Sequence, residues 1–154
     1  MKRRQFNLKL AGITGLGVGI ASGLIPISAL ANWPTAAFDT ETTEDAANAL
    51  FGGAEMIETD AITFKAPDIA ENGRVVPVNV NVGLNSIEEI ALMVPENPAP
   101  LVSTFVMSNQ SNVAVGTRIK MGKTSPLVAV VKADGKVYTA TSKEIKVTIG
   151  GCGG

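Results

Sequence analysis

From residue 57 onward, apolar and polar positions alternate with a period of two, the pattern of strands that bury one face. Val76, Val78, Val80 and Val82, interleaved with Pro77, Asn79 and Asn81, are the clearest case, within a strand expected over 74–82. Further strands are expected over 57–64, 87–94, 104–108, 115–121, 127–133, 136–140 and 143–149. Pro77 has no N–H to give a ladder, so its strand is expected at an edge or a bulge. Asp134-Gly135 marks a tight hairpin. The prolines of Pro95-Glu96-Asn97-Pro98-Ala99-Pro100 require a stiff, irregular connection. Ahead of the strands, residues 42–52 read as one short helix: a threonine caps it, Glu44 and Asp45 complement its dipole, and Gly52-Gly53 stop it. Ala46, Ala47, Leu50 and Phe51 share one face of that helix and are expected to pack on the rest of the domain. Short strands separated by turns every 8–12 residues or so predict an all-β fold, an immunoglobulin-like antiparallel β-sandwich with one short N-terminal helix.

The first 31 residues obey a different rule. Lys2, Arg3, Arg4 and Lys9 make a basic start, residues 10–31 carry no charge, and Ala29-Leu30-Ala31 has the small residues of a cleavage site. The apolar run is long enough to serve as a membrane anchor, but Gly12, Gly15, Gly17, Gly19, Gly23 and Pro26 make it a weak helix. A cleaved signal over 1–31 is the expectation. Arg3-Arg4-Gln5-Phe6-Asn7-Leu8-Lys9 points to the twin-arginine route into the periplasm, with Asn7 interrupting the usual Phe-Leu-Lys order. A carrier domain would then occupy 32–149, its sandwich spanning 57–149, and a glycine-cysteine arm 150–154.

Composition narrows the chemistry. Beyond the signal, nine Lys/Arg face fourteen acids, a formal balance of −5, so the cationic footprint of a nucleic-acid binder is missing. The 154 residues contain no histidine. That removes Ser-His and Cys-His nucleophile pairs, the commonest zinc and copper ligands and histidine-ligated haem. No cofactor and no metal are expected, and the acids show no organised pairing, so independent catalysis is not expected either. A single cysteine forbids an internal disulfide, and an unpaired thiol in an exported protein is a liability unless it is used.

That cysteine stands in Gly150-Gly151-Cys152-Gly153-Gly154. Structural cysteines are buried like small hydrophobes; four glycines offer nothing to bury this one and leave the backbone its full freedom. The pattern describes a thin arm with one nucleophile, whose Cα can stand about 10 Å beyond Ile149. Prenylation fails because only two residues follow the cysteine. Other readings are an incidental cysteine on a disordered end, a Gly-Gly thiocarboxylate carrier of the ubiquitin-like kind, and a sandwich interaction module that uses Cys152 for intermolecular disulfides. Nor does the tail activate its own thiol: the carboxylate of Gly154 opposes ionisation, so positive charge is expected from partners.

The whole chain beyond the signal, about 32–154, resembles the SoxY family, the sulfur-compound carrier subunits of the bacterial thiosulfate-oxidising Sox system, whose terminal Gly-Gly-Cys-Gly-Gly it shares. The similarity includes Ala66-Pro67-Asp68-Ile69-Ala70-Glu71-Asn72-Gly73, Val76-Pro77-Val78, Asn97-Pro98-Ala99-Pro100 and Phe105. It continues through Thr117-Arg118-Ile119-Lys120-Met121, Asp134-Gly135-Lys136-Val137-Tyr138 and Lys146-Val147-Thr148-Ile149. The resemblance implies that Cys152 is the covalent attachment point and that a SoxZ-like subunit completes a heterodimer. It implies three further partners: a haem-containing enzyme that loads thiosulfate, a hydrolase that releases sulfate, and a sulfane dehydrogenase. Joining two sulfur atoms releases two electrons, and this chain has no second thiol or metal site to take them, in keeping with chemistry done by partners.

Overall fold

The computed structural model describes residues 34–148, all within one unit of the chain. The expected helix is present as α2 (Thr43–Phe51). Thr42 is extended and its Oγ1 accepts the Asp45 N–H at 3.0 Å, while Gly52, at φ 69°, turns the chain out of the helix. Ahead of it, a single helical turn that the sequence pattern did not predict stands as α1 (Thr35–Phe38). Its Ala37 is buried, and that tertiary contact sustains a turn too short to persist on propensity.

Ten strands follow: β1 (Met56–Glu58), β2 (Ile62–Lys65), β3 (Ile69–Ala70), β4 (Val76–Val82), β5 (Ile87–Met93), β6 (Leu101–Gln110), β7 (Val113–Ile119), β8 (Val128–Ala133), β9 (Lys136–Thr141) and β10 (Lys146–Val147). They form a five-stranded sheet ordered β1-β9-β8-β5-β6, a three-stranded sheet β2-β4-β7, and the small pair β10-β3. The larger two share one core. Val76, Val78, Val80 and Val82 of β4 and Val115 and Ile119 of β7 pack with Ile90 and Leu92 of β5 and Ala129 and Val131 of β8. The fold is therefore mostly β.

The second face of the five-stranded sheet is covered too. Ala91 and Met93 of β5 join Val130, Leu101 and Val137 in a second cluster with Ala37, Ala46 and Ala47 of the helices. The small alanines allow the helix close to the sheet, as the face-sharing of Ala46, Ala47, Leu50 and Phe51 predicts. Burial on both sides explains why residues 90–94 are apolar without alternation.

Several sequence expectations are corrected. The single strand expected over 57–64 is two: Ala61 N–H bonds the Thr59 side chain at 3.2 Å, and the chain passes from the large sheet in β1 to the small sheet in β2. The sheets are not wholly antiparallel, since β1 runs parallel to β9 and β10 parallel to β3. Both pairs join segments far apart in the chain, and separation of that kind permits parallel pairing. The strand expected over 143–149 shrinks to β10 with an isolated Ser125–Ile145 bridge before it. Pro77 lies in a central strand rather than at an edge, but beyond the end of β2, so only β7 pairs beside it. Asp134 and Gly135 form the expected hairpin, both at positive φ.

Candidate functional site

Gly150, Gly151, Cys152, Gly153 and Gly154 lie outside the described residues, as does the expected signal over 1–31. What the structure supplies is the root from which those C-terminal residues continue. Ile145 exchanges two backbone hydrogen bonds with Ser125, at 3.0 and 3.2 Å. Lys146 N–H bonds the Asp68 carbonyl at 3.0 Å, and Thr148 N–H bonds Ala70 at 3.2 Å. Val147 N–H is received by the Thr124 hydroxyl at 3.0 Å. Ile145 is buried, Val147 half-buried, and Glu144, Lys146 and Thr148 exposed, the alternation expected for the segment entering the tail. The last described residues are thus tied to two separate segments, 68–70 and 124–125, which fix where any following chain must begin.

A groove of about 1100 Å³ opens near this root. Phe38, Leu101, Val102 and Ile119 contribute apolar surface, and the 95–99 connection forms one wall. Asn97 holds that wall in place: its Nδ2 donates to the Lys120 carbonyl at 2.8 Å, and its Oδ1 accepts from Gly122 N–H at 2.9 Å. Arg118, Lys120 and Lys123 bring positive charge to the lining, with Glu41 and Glu96 as the acids. Sequence inspection missed this groove. Its walls come from three separate stretches, 38–41, 95–102 and 118–123, and no spacing along the chain announces that they meet.

The perturbed titratable groups lie elsewhere, on β5 and β8. Burial raises the Glu89 carboxyl above its usual range, with Lys132 pulling the other way. The hydrogen bond and charge of Glu88, 2.7 Å away, raise Lys132. Among the described residues, no cluster of three or more acidic, histidine or cysteine side chains could hold a metal. Also among them, no helix is long and apolar enough to cross a membrane.

Comparison with known proteins places this geometry. The family described as "Sulfur oxidation protein SoxY" matches residues 47–152, so the matched segment reaches Cys152. The solved structure of the sulfur carrier protein SoxY from Chlorobium limicola f thiosulfatophilum is 40% identical. It superposes with a TM-score of 0.64, over 72% of this chain and 96% of that one. The CARDB domain of a Pyrococcus furiosus protein, solved with di-metal ions, gives 11% identity and a TM-score of 0.37, over 57% of this chain and 86% of that one. No curated protein sequence matches the chain.

Proposed function

This chain belongs to the SoxY family of sulfur oxidation proteins, and from that premise we propose that it is a periplasmic sulfur carrier working through Cys152. The observation that carries the reading is the conjunction of a family match running through residue 152 with a single cysteine set among glycines. The firmly tied root at residues 145–148 supports an arm that pivots from a fixed point.

In the proposed cycle, a haem-containing partner joins thiosulfate to the thiol. The Cys152 sulfur and the sulfane sulfur of thiosulfate form a bond, the thiol proton leaves, and two electrons pass to the haem partner. Water then cleaves the terminal sulfur–sulfur bond with the help of a hydrolase, releasing sulfate and a proton and leaving a persulfide. A sulfane dehydrogenase, or another acceptor of the sulfane sulfur, acts next, and hydrolysis regenerates the thiol. This chain holds the intermediate and the partners do the chemistry.

The same reading includes a signal over 1–31, a carrier domain over 32–149 and an arm over 150–154. Two sheets around a common core support an immunoglobulin-like sandwich for the carrier domain. A SoxZ-like subunit as heterodimer partner is supported by β6, an edge of the five-stranded sheet with ten residues, none charged and none proline. Edges are ordinarily protected by such residues, and Val106 on this one is 82% exposed.

The test is the intact mass of protein recovered from the periplasm of thiosulfate-grown cells. Adducts of sulfur and sulfonate mass on Cys152, absent in Cys152→Ser, are expected. Thiol and disulfide forms alone would instead favour the interaction module. If the arm enters narrow partner sites, Gly151→Val and Gly153→Val should slow partner-dependent thiosulfate oxidation severely and Gly151→Ala less. Stability should change by about 0.5 kcal/mol or less in each.

A further inference from the structure

The turn that leads from β3 into β4 carries Asn72-Gly73, the one Asn-Gly pair in the sequence. In such a pair the side-chain carbonyl carbon of asparagine lies open to the next backbone nitrogen, because glycine brings no side chain to block the approach. The local structure keeps both reacting groups available. Asn72 is exposed, and its Oδ1 accepts the Arg74 N–H at 3.0 Å, which turns the side chain back over the Gly73 peptide. Gly73 is itself buried and its carbonyl accepts the Met121 N–H at 2.7 Å. Its own N–H donates to no acceptor among the described residues, so no hydrogen bond has to break before that nitrogen reacts. Other asparagines lack one of these conditions. Ser86, which follows Asn85, gives its N–H to the Ser111 hydroxyl at 3.4 Å. Pro98, which follows Asn97, has no N–H. Asn79 and Asn81 are each followed by a β-branched valine and are fixed in the ladder of β4.

We propose that Asn72-Gly73 is a self-modification site, which converts to isoaspartate and thereby loosens the root from which residues 149–154 continue. The Gly73 nitrogen loses its proton and forms a bond to the Asn72 side-chain carbonyl carbon. The side-chain nitrogen leaves with that proton as ammonia, and a five-membered imide closes. Water then opens the imide at one of its two carbonyls. One opening gives aspartate with the original backbone; the other gives isoaspartate, whose backbone runs through the side-chain carbons and is longer by one. The steps consume only water and change no oxidation state. The added backbone atom falls between two anchors. On one side the Asp68 and Ala70 carbonyls accept the Lys146 and Thr148 N–H groups, at 3.0 and 3.2 Å; on the other the Gly73 carbonyl holds Met121. The Asn72 backbone carbonyl, which accepts the Val75 N–H at 3.2 Å, becomes a free carboxylate off the main chain, so that turn is lost as well. With both anchors unable to keep their spacing, the weaker one yields. That is the β3–β10 pair, only two residues long and at the margin of what holds a strand. The conversion depends on time alone, so it marks old molecules and frees the start of the C-terminal segment in them.

The experiment uses the mature chain with any subunit that co-purifies, aged in mildly alkaline buffer at growth temperature. Peptide mapping by mass spectrometry follows the gain of about one dalton as ammonia is exchanged for water, and protein isoaspartyl methyltransferase with labelled methyl donor identifies the isoaspartate. Asn72 is expected to convert ahead of Asn85, and Asn72→Gln and Gly73→Ala to remain unmodified there; if the alanine variant does not fold, the glutamine variant serves alone. Amide hydrogen exchange then reads the root, since local opening sets its rate. Lys146 and Thr148 should exchange several-fold faster in the isoaspartate form than in the fresh protein, while Asn72→Asp, which adds the charge without the extra backbone atom, should match the fresh protein. An Asn72 that stays intact while a free peptide of residues 70–75 converts fully would overturn the proposal. So would unchanged exchange at Lys146 and Thr148 in the isoaspartate form, or equal acceleration in Asn72→Asp. None of these measurements involves Cys152, so their failure leaves the carrier reading to its own test.

Discussion

At the scale of single residues, Glu89 shows how position in the sheet overrides what a carboxylate prefers. It stands opposite Lys132 on β8 and Val106 on β6, half-buried on the helix-bearing face of the large sheet. Loss of water raises its affinity for a proton more than Lys132 lowers it. A carboxyl whose folded pKa exceeds its unfolded one costs stability once it is ionised; the cost is absent below the unfolded value and complete above the folded one. Glu89→Gln should therefore raise the melting temperature near neutral pH, with the gain fading as pH falls through the carboxylate range. An unchanged or lower melting temperature at neutral pH would show that the Lys132 attraction prevails. Gly116 is a second such case, since a Cβ there would come within 2.7 Å of the Asn79 Oδ1 across the β4–β7 pair. Neither environment is visible in the sequence, because cross-strand neighbours are set by register. Cys152 is the opposite: its isolation among glycines is a property of adjacent residues and is legible at once.

At the scale of elements, local chemistry predicted best where it is self-contained. The α2 helix needs only its own residues to begin and end. Thr42 caps it, and the Thr42 hydroxyl also bonds the Asp45 carboxylate at 2.7 Å. Thr42→Ala should cost about 1 kcal/mol, and Thr42→Ser much less. Thermal melts of the two variants would check this, and equal losses would mean that the hydroxyl is not what holds the helix end. The strand β4 was equally legible, since its valines are buried and its asparagines exposed residue by residue. Strands that change partners were not. Residues 57–64 look like one run, but whether an apolar residue serves one sheet or the next depends on what lies beside it in space. The two-residue strands β3 and β10 have too little sequence to carry a period, and their existence follows from each other.

At the scale of the whole molecule, the proposed carrier must be exported before its thiol can be loaded. If 1–31 is a twin-arginine signal, Arg3→Lys/Arg4→Lys should leave the precursor in the cytoplasm, along with a SoxZ-like partner that has no signal of its own. Cell fractionation with immunodetection checks this, and mature protein in the periplasm at its normal level would point to the general secretory route. The sequence by itself determined the family, the mostly β character, the α2 helix and the cysteine that the proposed function uses. Each depends on adjacency, on a period of two, or on a short motif, and such information is local in the chain. Only the tertiary structure decided the split of residues 57–64 between sheets, the parallel pairs at β1 and β10, and the covering of β5 on both faces. It alone brought Phe38, the 95–99 wall and the cations of 118–123 around one groove, with Lys123 next to the Thr124 that bonds Val147. Those arrangements join residues tens of positions apart through burial and hydrogen bonding, and the pairwise geometry that selects them exists only once the chain has folded.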